Sequence, residues 1–309
     1  MKIVILDGYT LNPGDLSWQG LEKHGQLKVY DRTSYNKEDK DLIIERGKDA
    51  DVIFTNKTPL TREILNSMPN LKYIGILATG YDVVDVEAAR DKGIIVTNIP
   101  SYGTTAVAQM TLALILELTN HVGQHSAAVF NGEWESNPDW CFWKYPMMEL
   151  AGKTLGIIGY GRIGQEVGKI AKAFNMEVLA YGRTIDDKVY KESDFISLHC
   201  PLTEDNKEMI NKETLSKMKK SAFLINTSRG GLVNEEDLAS ALNNGTIAGA
   251  GLDVVSKEPI SPDNPLLKAK NCIITPHISW APIESRKRLL DMAIDNLDSF
   301  LKGNPINEI

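Results

Sequence analysis

The stretch "TLGIIGYGRIGQEVGKIAKAF", Thr154 to Phe174, decides the fold. An apolar run is followed at once by Gly159-x-Gly161-x-x-Gly164 and then by a segment of helical period. Each glycine has its own task in a strand–turn–helix unit. The first permits a tight turn, the second lets backbone approach a pyrophosphate, and the third lets helix and strand pack closely. The helix start then offers unpaired amides to the phosphates. A second strand arrives on schedule as "EVLAY", residues 177–181. The unit reads as a dinucleotide-binding βαβ.

The same alternation continues on both sides of it. Downstream, "FISLH" (195–199), "AFLIN" (222–226), "TIAGAG" (246–251) and "NCIIT" (271–275) read as strands. Helices fit "NKETLSKM" and "NEEDLASALNNG", and a last amphipathic helix spans 283–302. Upstream, "KIVIL", "LKVY", "DVIF", "KYIGI" and "GIIVT" are short strands. Several lack polar alternation, as strands buried on both faces do. Helical spacing lies between them in "TREILNSM" and "VDVEAARDKG", the latter stopped by Gly93. A long apolar helix spans 104–121, and a tryptophan-rich stretch of weak period, "GEWESNPDWCFWKYPMMELAG", follows it. Such an irregular segment suits a functional loop or an interface. The pattern predicts α/β architecture: two doubly wound parallel-sheet lobes.

Composition narrows the class. The chain has 309 residues, 42% hydrophobic and 24% charged, with net charge −7. This length suits one large or two ordinary domains. The negative balance argues against a general nucleic-acid or anionic-membrane binder. The three cysteines, Cys141, Cys200 and Cys272, are far apart and suggest neither a disulfide framework nor a metal site. "MKIVILDGY" is broken too early by Asp7 and Gly8 for a signal peptide, and "TLALILEL" is interrupted by Glu117, so a cytoplasmic protein is expected.

"YGRT", residues 181–184, bears on the cofactor. A dinucleotide unit usually places an acid here, which accepts hydrogen bonds from the adenosine ribose and repels an added phosphate. Arg183 instead suits a bidentate pair with a 2′-phosphate, Thr184 can add a bond, and Gly182 permits close approach. NADP(H) is therefore expected over NAD(H). Asp186 and Asp187, just downstream, work against that attraction.

The succession "GYGRIG", "HCPLT", "INTSRGGLV", "GLDVVSKEP" and "TPHISWA" resembles the D-isomer-specific 2-hydroxyacid dehydrogenase family, in particular its glycerate dehydrogenase (hydroxypyruvate reductase) branch. "YIGILATGYDVVDVEAA" and "NIPSYGTTAVAQ" resemble it too, so the likeness covers nearly the whole chain. It implies a Rossmann cofactor lobe, residues 99–284, inserted into a flavodoxin-like substrate lobe, residues 1–98 plus 285–309. It implies reduction of a small 2-keto acid, hydroxypyruvate to D-glycerate and glyoxylate to glycolate. Alternatives are a D-lactate-type or broad 2-keto acid reductase, or a non-catalytic dinucleotide-sensing regulator of the same fold. A homodimer through the 104–150 region is implied, and Trp140 or Trp143 is a candidate to close a neighbouring subunit's pocket.

The resemblance also assigns residues. His277, after "IITP", matches the catalytic histidine; Glu258 matches its hydrogen-bonded acid; Arg229 matches the arginine facing the substrate. These types suit the reaction, because histidine exchanges a proton near neutrality and arginine keeps its charge. Thr79 and Gly80, in "LATGYD", match the loop whose amides hold the substrate carboxylate. Leu77, Tyr102 and Trp280 are candidates for the substrate wall. Cofactor contacts are implied for the amides of Arg162 and Ile163, and for Thr104, Cys200, Pro201, Asn206, Thr227 and Asp253, the last toward the nicotinamide carboxamide. His199 is expected to shape the cofactor wall, and no metal is expected.

Overall fold

A computed structural model describes residues 1–182 and 184–309. In chain order it begins β1 (Lys2–Ile5), α1 (Gln19–Glu22), β2 (Gln26–Val29), α2 (Lys40–Gly47), β3 (Val52–Thr55) and α3 (Arg62–Asn66). Then come β4 (Tyr73–Ile76), α4 (Val86–Asp91), β5 (Ile95–Thr97), α5 (Thr104–Asn120) and α6 (Val122–Phe130). The dinucleotide stretch supplies β6 (Thr154–Ile158), α7 (Arg162–Ala173) and β7 (Glu177–Tyr181). The rest is α8 (Lys188–Glu192), β8 (Phe195–Leu198), α9 (Lys212–Lys217), β9 (Phe223–Asn226), α10 (Glu235–Asn243), β10 (Gly249–Leu252), β11 (Cys272–Ile274) and α11 (Ile283–Leu301). The chain divides into two compact units, Met1–Gly103 with Ala281–Ile309, and Thr104–Trp280.

The first unit holds a five-stranded parallel sheet in the order β2-β1-β3-β4-β5. Its central strands β3 and β4 are buried at every position, which explains why their sequences do not alternate. Local signals set the helix ends. The Asp85 carboxylate caps α4 by accepting from the Ala88 N–H at 2.8 Å, and Gly93, at φ +68°, ends the segment. On α11, Leu289, Leu290, Ala293 and Leu297 are buried while the intervening charged residues face water.

The second unit holds a six-stranded parallel sheet in the order β11-β10-β9-β8-β6-β7. Successive residues point to opposite faces, and both faces are apolar. Leu155, Ile157, Phe195, Phe223 and Ile225 enter one core with Leu112, Ile115 and Leu118 of α5. Ile158, Ile196, Leu198, Leu224 and Leu252 enter the other. Two-sided burial is what the unbroken isoleucine-rich runs required. Strand β6 sits between β7 and β8, so the chain steps outward to β7 and then crosses back to β8. That reversal makes a crevice at the carboxyl ends of β6 and β8, the usual place for a ligand in such sheets.

The α/β class and all the expected strands are present. The strand expected at 246–251 starts at Gly249, because the Thr246 N–H donates to the Ala241 carbonyl and closes the loop after α10. The helix expected to reach residue 121 ends at Asn120, and α6 follows it unforeseen. His121, at φ +50°, separates the two, and no glycine or proline marks that break. Among the described residues no helix is long and apolar enough to cross a membrane.

Candidate active site

The turn after β6 is built as the glycine spacing requires. Gly159 has φ +98°, and a Cβ there would lie 2.5 Å from the Cys200 nitrogen and from the His199 carbonyl carbon. Only glycine lets this turn rest against the end of β8. At Gly164 a Cβ would lie 2.3 Å from the Gly159 carbonyl oxygen, so the helix could not start where it does. Gly161 differs: a Cβ would meet nothing within 4 Å. It is the N-cap of the twelve-residue helix α7, and no side chain caps that end. The first amides of α7, including those of Arg162 and Ile163, therefore have no acceptor within the helix and carry its positive dipole end. An open concavity lined by backbone N–H groups fits a pyrophosphate.

The end of β8 lines the same crevice. Cys200 is half-buried, and burial pushes its thiol above the ordinary range, so it is an uncharged wall residue. Its carbonyl accepts from the Ser228 hydroxyl at 2.5 Å. Pro201 is exposed. The Asn206 amide is used within its own loop: Oδ1 accepts from the Thr203 N–H at 2.7 Å and Nδ2 donates to the Pro201 carbonyl at 2.8 Å. His199 is half-buried, its Nε2 lies 2.8 Å from the Ser197 hydroxyl, and desolvation of the ring lowers its pKa to about 3. It stays neutral at physiological pH and does not exchange protons there. Past β7, Thr184 is exposed; Arg183 lies outside the described residues. Asp187 pairs with Lys217 at 3.2 Å and with Lys191 at 3.6 Å, and the Lys217 bond leads in holding its carboxyl below the usual range.

The ends of β9, β10 and β11 bring the expected reacting groups to the same edge. His277 Nδ1 and Glu258 Oε2 meet at 2.6 Å, and each side chain is about one-third exposed, 32% and 35%. Glu258 Oε1 also accepts from the Val255 N–H at 3.3 Å. His277 has φ +54°, a left-handed conformation that is costly for a residue with a Cβ. Its carbonyl accepts from Trp280 Nε1 at 3.0 Å. Arg229 lies in the loop after β9, where Nη1 donates to the Ser228 carbonyl at 2.8 Å. The next residue, Gly230, lets this loop press against the one carrying Glu258: a Cβ would lie 1.9 Å from the Val255 carbonyl carbon. Thr227 is buried, with its hydroxyl 3.0 Å from that of Thr111 on α5. Asp253 is buried beneath the His277 loop. Thr104 is the first residue of α5. Among the described residues no group of three or more His, Cys, Asp or Glu is placed to hold a metal ion.

The other substrate candidates lie in the first unit. Thr79 and Gly80 follow β4; the Thr79 hydroxyl donates to the Ile99 carbonyl at 2.7 Å, and its carbonyl accepts from Asn98 Nδ2 at 2.8 Å. Leu77 is fully buried. Asn226, 0% exposed at the end of β9, is absent from the expected site residues although it ties the Arg229 turn together. Its only signal is a polar residue ending an otherwise apolar strand.

The contrast between the glycines is testable. Gly161→Ala should leave the melting temperature nearly unchanged but weaken dinucleotide binding on the order of tenfold or more, because the methyl group occupies the phosphate concavity. Gly164→Ala should lower stability as well. Fluorescence titration with NADPH and thermal melts separate the two, and equal effects would contradict this account of the turn.

Residues 112–279 match the sequence model of the D-isomer specific 2-hydroxyacid dehydrogenase, NAD binding domain. A hydroxypyruvate reductase of Blautia hydrogenotrophica is 57% identical over all of this chain and 99% of its own. A glycerate dehydrogenase of Methylorubrum extorquens is 40% identical over all of this chain and 98% of its own. An NADPH-dependent glyoxylate/hydroxypyruvate reductase from Sinorhizobium meliloti, solved with citrate, superposes with TM-score 0.84 at 27% identity, covering 100% of this chain and 97% of that one. With a phosphate-binding turn in its cofactor domain and full-length likeness to these reductases, the chain belongs to the D-isomer specific 2-hydroxyacid dehydrogenase family.

Proposed function

We propose that this protein reduces hydroxypyruvate to D-glycerate, and glyoxylate to glycolate, with NADPH as the preferred reductant. The observation that carries the reading is the 2.6 Å contact between His277 and Glu258 at the carboxyl edge of the dinucleotide-binding sheet. The 57% identity with a hydroxypyruvate reductase supports the choice of substrate.

The amides of Arg162 and Ile163, with the turn glycines Gly159, Gly161 and Gly164, hold the pyrophosphate; Thr104, Cys200, Pro201, Asn206, Thr227 and Asp253 surround the rest of the dinucleotide. When bound, the nicotinamide supplies hydride chemistry. Everything else falls to side chains of this chain. Glu258 engages Nδ1 of His277, which fixes the ring and leaves Nε2 as the atom that holds the proton for the substrate oxygen. Arg229 pairs with the substrate carboxylate and polarises the carbonyl, where charge builds as the reaction proceeds. Trp280 walls the substrate. The first unit acts as the substrate domain and the second as the cofactor domain.

The preference for NADPH rests on Arg183 and Thr184, which stand where an acid would repel the 2′-phosphate. Asp187 does not oppose this, since two lysines neutralise it. A homodimer through residues 104–150 suits the apolar side chains that this region exposes: Val122, Phe130, Trp140 and Trp143 are 64%, 87%, 86% and 67% accessible. Sedimentation as a monomer at micromolar concentration would remove that part of the reading.

His277→Ala should lower turnover of hydroxypyruvate by about 10²-fold or more. Near-normal turnover, followed by NADPH absorbance, would rule out the assignment. Arg183→Asp should move the ratio of kcat/KM values toward NADH, mainly through a higher KM for NADPH. An unchanged ratio would show that residue 183 does not read the phosphate.

A further inference from the structure

The loops bearing Arg229 and His277 rest on two polar side chains buried at neighbouring strand ends. Asn226 ends β9 and is 0% exposed. Its Oδ1 accepts from the Ser228 N–H at 3.0 Å, and its Nδ2 donates to the Arg229 carbonyl at 2.8 Å. One side chain thus closes the turn that presents Arg229. Its main-chain carbonyl accepts from the Asp253 N–H at 2.9 Å.

Asp253 repeats the device one strand further. It follows β10, is 1% exposed, and commits both oxygens to the segment 275–279. Oδ1 accepts from the Thr275 hydroxyl at 2.6 Å and from the Ile278 N–H at 2.9 Å; Oδ2 accepts from the Ser279 N–H at 2.8 Å. The Asp253 carbonyl accepts from the His277 N–H at 2.8 Å. Four bonds to one residue therefore wrap this segment around a single point. They explain how His277 keeps its left-handed backbone, which persists only when its surroundings over-determine it. A buried carboxylate is also stable only when donors surround it, so the residue and the loop specify each other.

We infer that Asn226 and Asp253 are a pair of positioning residues that set the Arg229 and His277 loops in advance of ligand binding. Asp253 in this account aims the His277 ring at Glu258 in addition to bordering the dinucleotide. The inference rests on the reading of Arg229 and His277 as the reacting groups, and small misplacements of such groups are costly.

Three variants test it. Asp253→Asn keeps the shape but turns one acceptor into a donor facing a donor. Thr275→Val removes one of the four bonds and leaves Asp253 intact, which covers the case in which Asp253→Asn does not fold. Asn226→Ser is too short to bond both Ser228 and Arg229. Three readouts apply: steady-state rates with hydroxypyruvate, the Kd for NADPH by fluorescence, and the downfield proton resonance of the His277–Glu258 hydrogen bond in ligand-free protein. The expected result is a fall in kcat on the order of tenfold or more for Asp253→Asn and a smaller fall for Thr275→Val. That resonance should be shifted or broadened in both, with Kd within about twofold for Thr275→Val. Asn226→Ser should raise the KM for hydroxypyruvate on the order of tenfold with little change in Kd. A Kd raised tenfold in Asp253→Asn with the resonance intact would overturn the inference in favour of a cofactor contact. An unchanged kcat and resonance in both loop variants would overturn it outright. Should the wild-type protein fail to reduce hydroxypyruvate, the proposed function falls, and the resonance still decides whether Asp253 and Thr275 hold the histidine.

Discussion

All strands of a parallel sheet run the same way, so every carboxyl end reaches one edge, and the chemistry of this chain depends on that constraint. In the second unit the residues that follow β6, β8, β9, β10 and β11 include Gly159, Cys200, Arg229, Asp253 and His277. They are scattered over more than a hundred positions of sequence, yet the register of five strand pairs delivers them to a single rim. Glu258 joins them because its loop, leaving β10, folds back until its carboxylate meets the His277 ring at 2.6 Å.

Strand order then separates two kinds of chemistry along that rim. The helix N-terminus that suits phosphate follows β6, while Arg229, Glu258 and His277 follow β9 to β11 at the other end. Four strand spacings lie between β6 and β11, roughly 19 Å. An extended dinucleotide can lie along such a rim with its charged middle over helix amides and its reactive end near the histidine. The polar groups are arranged accordingly: a helix dipole and its first amides at one end, and a hydrogen-bonded histidine–carboxylate pair at the other.

Burial decides which polar groups take part. Desolvation alone acts on His199 and keeps it neutral down to a pH of about 3. His277 is one-third exposed and bonded to Glu258, so its ring is open to the crevice. Asp253, although buried, is surrounded by donors from its own neighbouring loop. The same physical cost, removing a polar group from water, silences one residue and turns another into a scaffold.

Local chemistry was readable in the chain itself. The strands of both sheets, the glycine turn and its helix followed from residue type and period, because each depends on neighbours within a few positions. Arg229, Glu258 and His277 were recognisable from their motifs. The break at His121 was not, since a left-handed histidine leaves no glycine to announce it. Nor were the roles of Asn226 and Thr275, whose partners depend on which strand lies beside which. The sequence by itself determined that this is a parallel α/β chain with a glycine-rich strand–turn–helix unit and a set of candidate reacting groups. Only the tertiary structure decided which of those groups meet, which are buried into silence and which hold the others in place, because contact, desolvation and hydrogen-bond geometry arise between segments that the chain order keeps far apart.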